Sequence, residues 1–332
     1  MTRRALSSSR RSLGSALVHA KTVGGWLMIL SAVLATGCAR HRAVADLSPV
    51  VFDRVPSMEE VAEVINRNDA VKQLHTNSAT ITLVSSPQVK GPGFGMSRLS
   101  ASLAVERPQR LRMQVRIPLS ADNAVDLGSN EDQFWMRVPG GRQPQLFLAR
   151  HDEFAEQPHR NLLPIDPVWL IDALGLVHLD PDGNHEGPRS LPGGDLEIVS
   201  RVPQIDGTYR RILLVDGQRG TIKEQYLYAP SGDLVAFSRA RDIRFDPEIE
   251  CSLPHAIDLE LRPIGTPPTQ MKIEVGRYSI NRLLSDSQTL FTLPRDGSEE
   301  VVDLARIGGY RPEETLAPAS HYRVTDAALS IP

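Results

Sequence analysis

Cysteine is almost missing from this chain: its 332 residues include two, Cys38 and Cys251. That excludes a disulfide framework and a thiolate metal cluster, and a lone Cys251 reads as a small buried hydrophobe rather than a nucleophile. Also absent are a Gly-x-Ser-x-Gly elbow, a phosphate loop and a His-Glu-x-x-His helix. The expectation is therefore a non-enzymatic protein without cofactor, although a carboxylate or histidine pair assembled only in space would leave no such mark. Basic charge is in deficit as well. Residues 1–37 hold Arg3, Arg4, Arg10, Arg11, Lys21 and no acid; removing these five of 37 basic side chains leaves 32 against 40 acidic ones, about −8. A net acidic body lacks the cationic face that nucleic acid requires. No apolar run reaches the ~20 residues of a comfortable membrane span, the run Val23 to Leu34 included.

What is present is alternation. From Arg110 to Ile117, Leu111, Met113, Val115 and Ile117 fall on one side and Arg110, Arg112, Gln114 and Arg116 on the other. Successive side chains of a strand point to opposite faces, so the stretch predicts a strand with one dry and one wet face. Leu99, Ala101, Leu103 and Val105 repeat the pattern just upstream, and Arg107-Pro108-Gln109 supplies the turn. Further strands are expected at 79–84, 124–127, 133–138, 145–149, 195–201, 209–215, 221–228, 234–245, 256–261 and 271–275, ten to twelve in all. So many antiparallel strands must curl, because twist accumulates and open edges invite aggregation.

Two helical signals interrupt the strands. Ser57-Met-Glu-Glu60 reads as a capping box, followed by Val61, Val64, Ile65, Val71 and Leu74 at helical spacing, a helix of roughly four turns. Within residues 150–194, Asp166-Pro167 reads as a helix start and Gly175 as its stop. Between them Val168-Trp-Leu-Ile-Asp-Ala-Leu174 is apolar almost all round, so it must be buried on more than one side, as a lid over an apolar cavity or as plain core. His178, Asp180, Asp182, His185 and Glu186 gather two histidines and three carboxylates, but the segment lacks the ligands of a calcium loop, and Asp182-Gly183-Asn184 is ordinary turn chemistry. The glycines at 91, 93 and 95 do not make a dinucleotide fingerprint and read as a turn.

The basic start, the short apolar run and the ending Leu34-Ala-Thr-Gly-Cys38 resemble a bacterial lipoprotein signal, with Ala35 where that family prefers leucine. The resemblance implies cleavage after residue 37, lipidation (palmitate among the acyl groups) at Cys38 and anchoring to the membrane; Ala39 in place of aspartate implies the outer membrane. Ser9-Arg-Arg-Ser-Leu13 faintly resembles a twin-arginine signal. Residues 38–55 are expected to be a tether, 56–305 one domain and 306–332 a flexible tail.

Taken in order, the body resembles the LolA and LolB lipoprotein carriers. The matching pieces are Val71-Lys-Gln-Leu74 leading into Ala79-Thr-Ile-Thr-Leu83, then Leu103 to Met113 through Glu106-Arg-Pro108, and Asp126-Leu-Gly-Ser-Asn130 before Phe134-Trp135. Later come Ile212 to Asp216, Ile222 to Asp233, Leu253-Pro254 before Ile257 to Leu261, Ile280-Asn281, Leu290 to Pro294 and Val301 to Leu304. The resemblance implies an α+β fold: a curved antiparallel sheet forming an incomplete, open β-barrel with helices over its open side. It also implies that acyl chains of lipids or lipoproteins are the partners, held in an apolar cavity by a periplasmic carrier or receptor. The expected lining is Leu103, Val105, Leu111, Met113, Val115 and Ile117, with Trp169, Leu170 and Leu174 from the lid. Burying an acyl chain contributes ~0.8 kcal/mol per CH2, enough to hold lipid without a covalent step. A peptide- or protein-binding sensor or envelope assembly scaffold using the same concave surface, with an envelope protein as partner, is the alternative.

Overall fold

The structure, a computed structural model, describes residues 47–84, 97–116, 123–138, 143–156, 168–204, 206–263, 268–282, 287–295 and 297–305. Cys38, Ile117, Asp166-Pro167, the glycines at 91–95, the signal and the 306–332 tail lie outside them.

The alternating stretch forms the expected hairpin. β2 (Ser97–Glu106) and β3 (Arg110–Arg116) pair with Val105 opposite Leu111, Leu103 opposite Met113 and Ala101 opposite Val115. All six of these side chains are buried. To one side follow β1 (Gln73–Val84), β13 (Thr269–Val275), β12 (Cys251–Leu261) and β11 (Leu234–Asp246), then β10 (Ile222–Tyr228), β9 (Gly207–Asp216), β8 (Asp195–Gln204) and β7 (His185–Ser190). To the other lie β4 (Asn123–Ser129), β5 (Gln133–Val138), β6 (Gln145–Arg150) and β15 (Glu300–Asp303), while the two-residue β14 (Ser279–Ile280) pairs with β1. Every pairing is antiparallel except β15 with β6.

Among the described residues there are thus fifteen strands, more than the alternation predicts. The extra ones lack a readable pattern. β7 carries Gly187-Pro188, β14 has two residues, and the four of β15 are placed by β6 rather than by their own periodicity.

The sheet is open, with β15 and β7 as its edges, and it is strongly curled. β3 and β9 stand seven strand spacings apart in the sheet, so a flat arrangement would separate them by about 34 Å. Yet the carboxylate of Asp172 is within electrostatic reach of both Arg107, in the β2–β3 turn, and Arg211, on β9. Only a sheet wrapped around the segment carrying Asp172 satisfies both.

Among the described residues four short α-helices accompany it. α1 (Met58–Asn66) begins with the expected capping box: the Glu60 amide donates to Ser57 Oγ at 3.2 Å and the Ser57 amide donates to the Glu60 carboxylate at 2.7 Å. Its apolar face, Val61, Ala62 and Ile65, covers Leu196, Ile198, Leu213 and Val215 of β8 and β9. It stops at Asn66, short of the four turns expected, and a 3-10 turn over Arg67–Ala70 leads directly into β1, so Leu74 reaches the core from a strand. The cause is side-chain competition. Asn66 exchanges two hydrogen bonds of 2.8 Å with the Leu179 backbone, and the Asn68 amide donates to the carbonyls of Gly175 and Val177, partners that a continuing helix would not reach.

α2 (His151–Ala155) places Phe154 against Phe134 in a small satellite core. α3 (Trp169–Ala173) lies inside the curl, and α4 (Ser287–Leu290) lies on the convex side. There Arg112 donates to the Leu290 carbonyl at 2.8 Å and pairs with buried Asp126 at 2.7 Å. The face of β3 read as wet is therefore partly covered by the chain around 287–291. Residues 48–52, read as tether, also lie on the domain: Ser48 Oγ is 2.7 Å from Ser252 Oγ, and the amides of Val51 and Phe52 donate to the Gln218 carbonyl.

Candidate functional site

The concave face is the place where the expected lining residues meet. Leu103, Val105, Leu111, Met113 and Val115 belong to one continuous buried cluster with Ile257 and Leu259 of β12, Ile273 and Val275 of β13, and Val235 of β11. Trp169, Leu170 and Leu174 belong to the same cluster, joined by Ile171 and Ala173. The apolar wall and the segment expected to cover it are thus in one place, with Ile117 outside the described residues.

α3 is held less as part of the sheet than as an object within it. It is a single turn, ended by Gly175 at φ +90°, where a side chain would be strained and where a Cβ would come within 2.7 Å of Pro254. Its side chains fill the interior. A cleft of about 60 Å³ lies beside the segment, lined by Ser48, Ile65, Asn68, Gly175, Cys251 and Pro254. Small-molecule pockets run to several hundred Å³, so this cleft is far too small for an acyl chain.

One polar constellation breaks the apolar wall, and sequence reasoning missed it. Arg211 shares the inner face of β9 with Tyr209, Leu213 and Val215, and Gln225 sits opposite Leu213 on β10. Arg211 Nη1 donates to Asp172 Oδ2 at 3.0 Å, and Gln225 Nε2 donates to the Asp172 carbonyl at 2.8 Å. Burial pushes the Asp172 carboxyl up from its ordinary value, opposed by Arg211, Arg107 and His178. Arg211 Nε, Gln225 Oε1 and Trp169 Nε1 are buried without a hydrogen-bond partner. The available signal was parity: in Tyr209-Arg-Arg-Ile-Leu-Leu-Val215 the alternation that puts Leu213 and Val215 inside also puts Arg211 there.

The histidines of the 178–186 segment have partners of their own. His178 Nδ1 is 2.9 Å from Asp69, and His185 lies 2.8 Å from Ser200 Oγ and 2.6 Å from the Asp180 carbonyl. Cys251 is a free, buried thiol whose pKa is raised by desolvation to about 12. Among the described residues no helix is long and apolar enough to cross a membrane.

No family model matches the sequence, and no curated protein matches it. Solved structures do resemble the chain. A LolA superfamily protein from Nitrosomonas europaea is 13% identical over 70% of this chain and 97% of its own, with a TM-score of 0.41. A DUF1329 family protein from Desulfovibrio piger is 12% identical over 73% of this chain and 100% of its own, at 0.44. A domain from Vibrio parahaemolyticus named for outer membrane lipoprotein sorting is 10% identical over 70% of this chain and 97% of its own, at 0.46. The chain is thus similar to LolA-superfamily and lipoprotein-sorting domains, and its architecture as an open, curled sheet rests on its own strand order and register.

Proposed function

We propose that this protein is a lipid-anchored envelope protein that binds acyl chains of lipids or lipoproteins on its concave face, as carrier or receptor. One observation carries the reading: the apolar wall is filled by a one-turn helix that contributes no strand to the sheet. Removing a strand from a sheet breaks a ladder of hydrogen bonds, whereas moving α3 aside breaks few and leaves an apolar hollow intact. α3 then acts as an internal plug that exchanges with cargo. Lipidation at Cys38 supplies the membrane address, most simply the periplasmic face of the outer membrane. The exposed Leu47, Val50 and Val55 a few residues further on suit a surface held close to a bilayer.

The test is mass spectrometry of solvent extracts from the purified protein. A co-purifying acyl lipid is expected, and its consistent absence across preparations would overturn the reading. The burial of α3 side chains in one cluster with the wall favours a second reading, a peptide- or protein-binding scaffold in which α3 is permanent core and the outer surface does the work. Under that reading a disulfide locking α3 to the wall leaves function intact; under the first it abolishes lipid uptake.

A further inference from the structure

α3 has the composition of a ligand as much as of a lid. It offers a cluster of apolar side chains, Trp169, Leu170, Ile171 and Leu174, and in their midst one carboxylate, Asp172. The wall answers both parts. Opposite the apolar side chains it is aliphatic; opposite the carboxylate it places Arg211, with a side chain only 14% exposed, and beside it Gln225, 3% exposed, whose Nε2 donates to the Asp172 backbone carbonyl.

A buried guanidinium needs a counter-charge, because an unpaired ion in an apolar site is far costlier than a paired one. When α3 withdraws, Asp172 leaves with it. A neutral acyl ligand would then strand Arg211 in the hollow, whereas an anionic headgroup would replace the lost partner. The present pairing is also incomplete: the donor Arg211 Nε is unused, and a guanidinium offers a planar fork that matches the paired oxygens of carboxylate or phosphate. The surrounding charges agree. Arg107 is engaged by Asp69 and Asn68 but still acts on Asp172, and His178 faces it too. The acid Asp206 accepts from the Tyr209 hydroxyl on Oδ2 at 2.8 Å, while its Oδ1 is buried without a partner.

We propose that the interior site selects an anionic amphiphile, its carboxylate or phosphate headgroup against Arg211 and Gln225 where Asp172 now lies, and its chain in the volume now filled by Trp169, Leu170 and Leu174. The proposal rests on the acyl-binding reading above.

The test uses the chain with Cys38→Ser, which keeps every barrel residue. Binding of hexadecanoate, hexadecyl phosphate and hexadecanol is measured by Trp169 fluorescence, with Trp169→Phe as the control for signal origin. At least tenfold tighter binding of one or both anions than of the alcohol is expected, and the stronger anion identifies whether a fatty acid or a phospholipid-type headgroup is preferred. Arg211→Leu should erase that preference while hexadecanol still binds. Should Arg211→Leu fail to fold, Asp172→Asn serves instead, because freeing Arg211 of its internal partner should tighten anion binding severalfold. Equal affinities for all three probes, or a preference untouched by both substitutions, overturns the headgroup assignment while leaving acyl binding standing. No binding of any probe overturns both.

Discussion

Asp172 ties the chemistry of the interior to pH. Its carboxyl is raised in the folded chain and ordinary, near 3.8, in the unfolded one, so the folded state holds the proton more tightly. Stability from this group is therefore full at low pH and is lost as pH rises from about 3.8 through the raised value. Arg211, Arg107 and His178 are the groups that oppose the shift, and they limit it without reversing it. Denaturant titrations from pH 4 upward should show Asp172→Asn removing part of that downward slope; an unaltered slope would contradict the assignment.

A second residue-scale prediction concerns Gly128. A Cβ there would lie 2.2 Å from Cζ2 of Trp135, its cross-strand partner, whose ring is fully buried. Gly128→Ala should cost about 1–3 kcal/mol by overpacking, read as a lower denaturation midpoint at unchanged slope. Cys251, held as a thiol by burial, should react with thiol reagents at neutral pH only as the domain unfolds.

At the scale of elements, α1 and α3 are opposites. α1 is specified locally: Ser57 and Glu60 satisfy its first amides, and Ser57→Ala should lower stability by ~1 kcal/mol in chemical denaturation. The capping box was legible because both partners lie within four residues. Its end was not, because Asn66 and Asn68 bond to a segment more than a hundred residues away.

α3 has almost no local support: one turn cannot sustain itself in water, so its helicity depends on the wall around it. Its Val168 to Leu174 stretch announced burial through its lack of a polar face, but nothing in it announced Arg211 as the partner of Asp172. Leu111→Ala, on the wall, should cost about 2–5 kcal/mol globally. Trp169→Ala, on an element able to leave without unzipping the sheet, should cost less and raise amphiphile uptake. Equal losses at the two sites, with no gain in uptake, would mark α3 as ordinary core. Amide exchange should separate them further, with α3 opening at lower free energy than β12 and β13.

At the scale of the whole molecule, the proposed lipid anchor is tested apart from the barrel. Cys38→Ser should abolish incorporation of a labelled fatty acid into the protein without changing the denaturation midpoint of the domain; labelling that survives the substitution would refute acylation at Cys38. The sequence by itself determined the alternating strands and their faces, though not β7, β14 or β15, because period-two alternation is a property of neighbouring residues, and it determined the chemistry of the interior wall at Leu103, Val105, Leu111, Met113 and Val115. Only the tertiary structure decided how far the sheet curls, that β15 closes one flank in parallel, that residues 48–52 lie on the domain, and that the hollow is occupied by α3 with Asp172 against Arg211. Those features depend on contacts between residues tens to hundreds apart in the chain, where side-chain shape and charge meet in space and no local period records them.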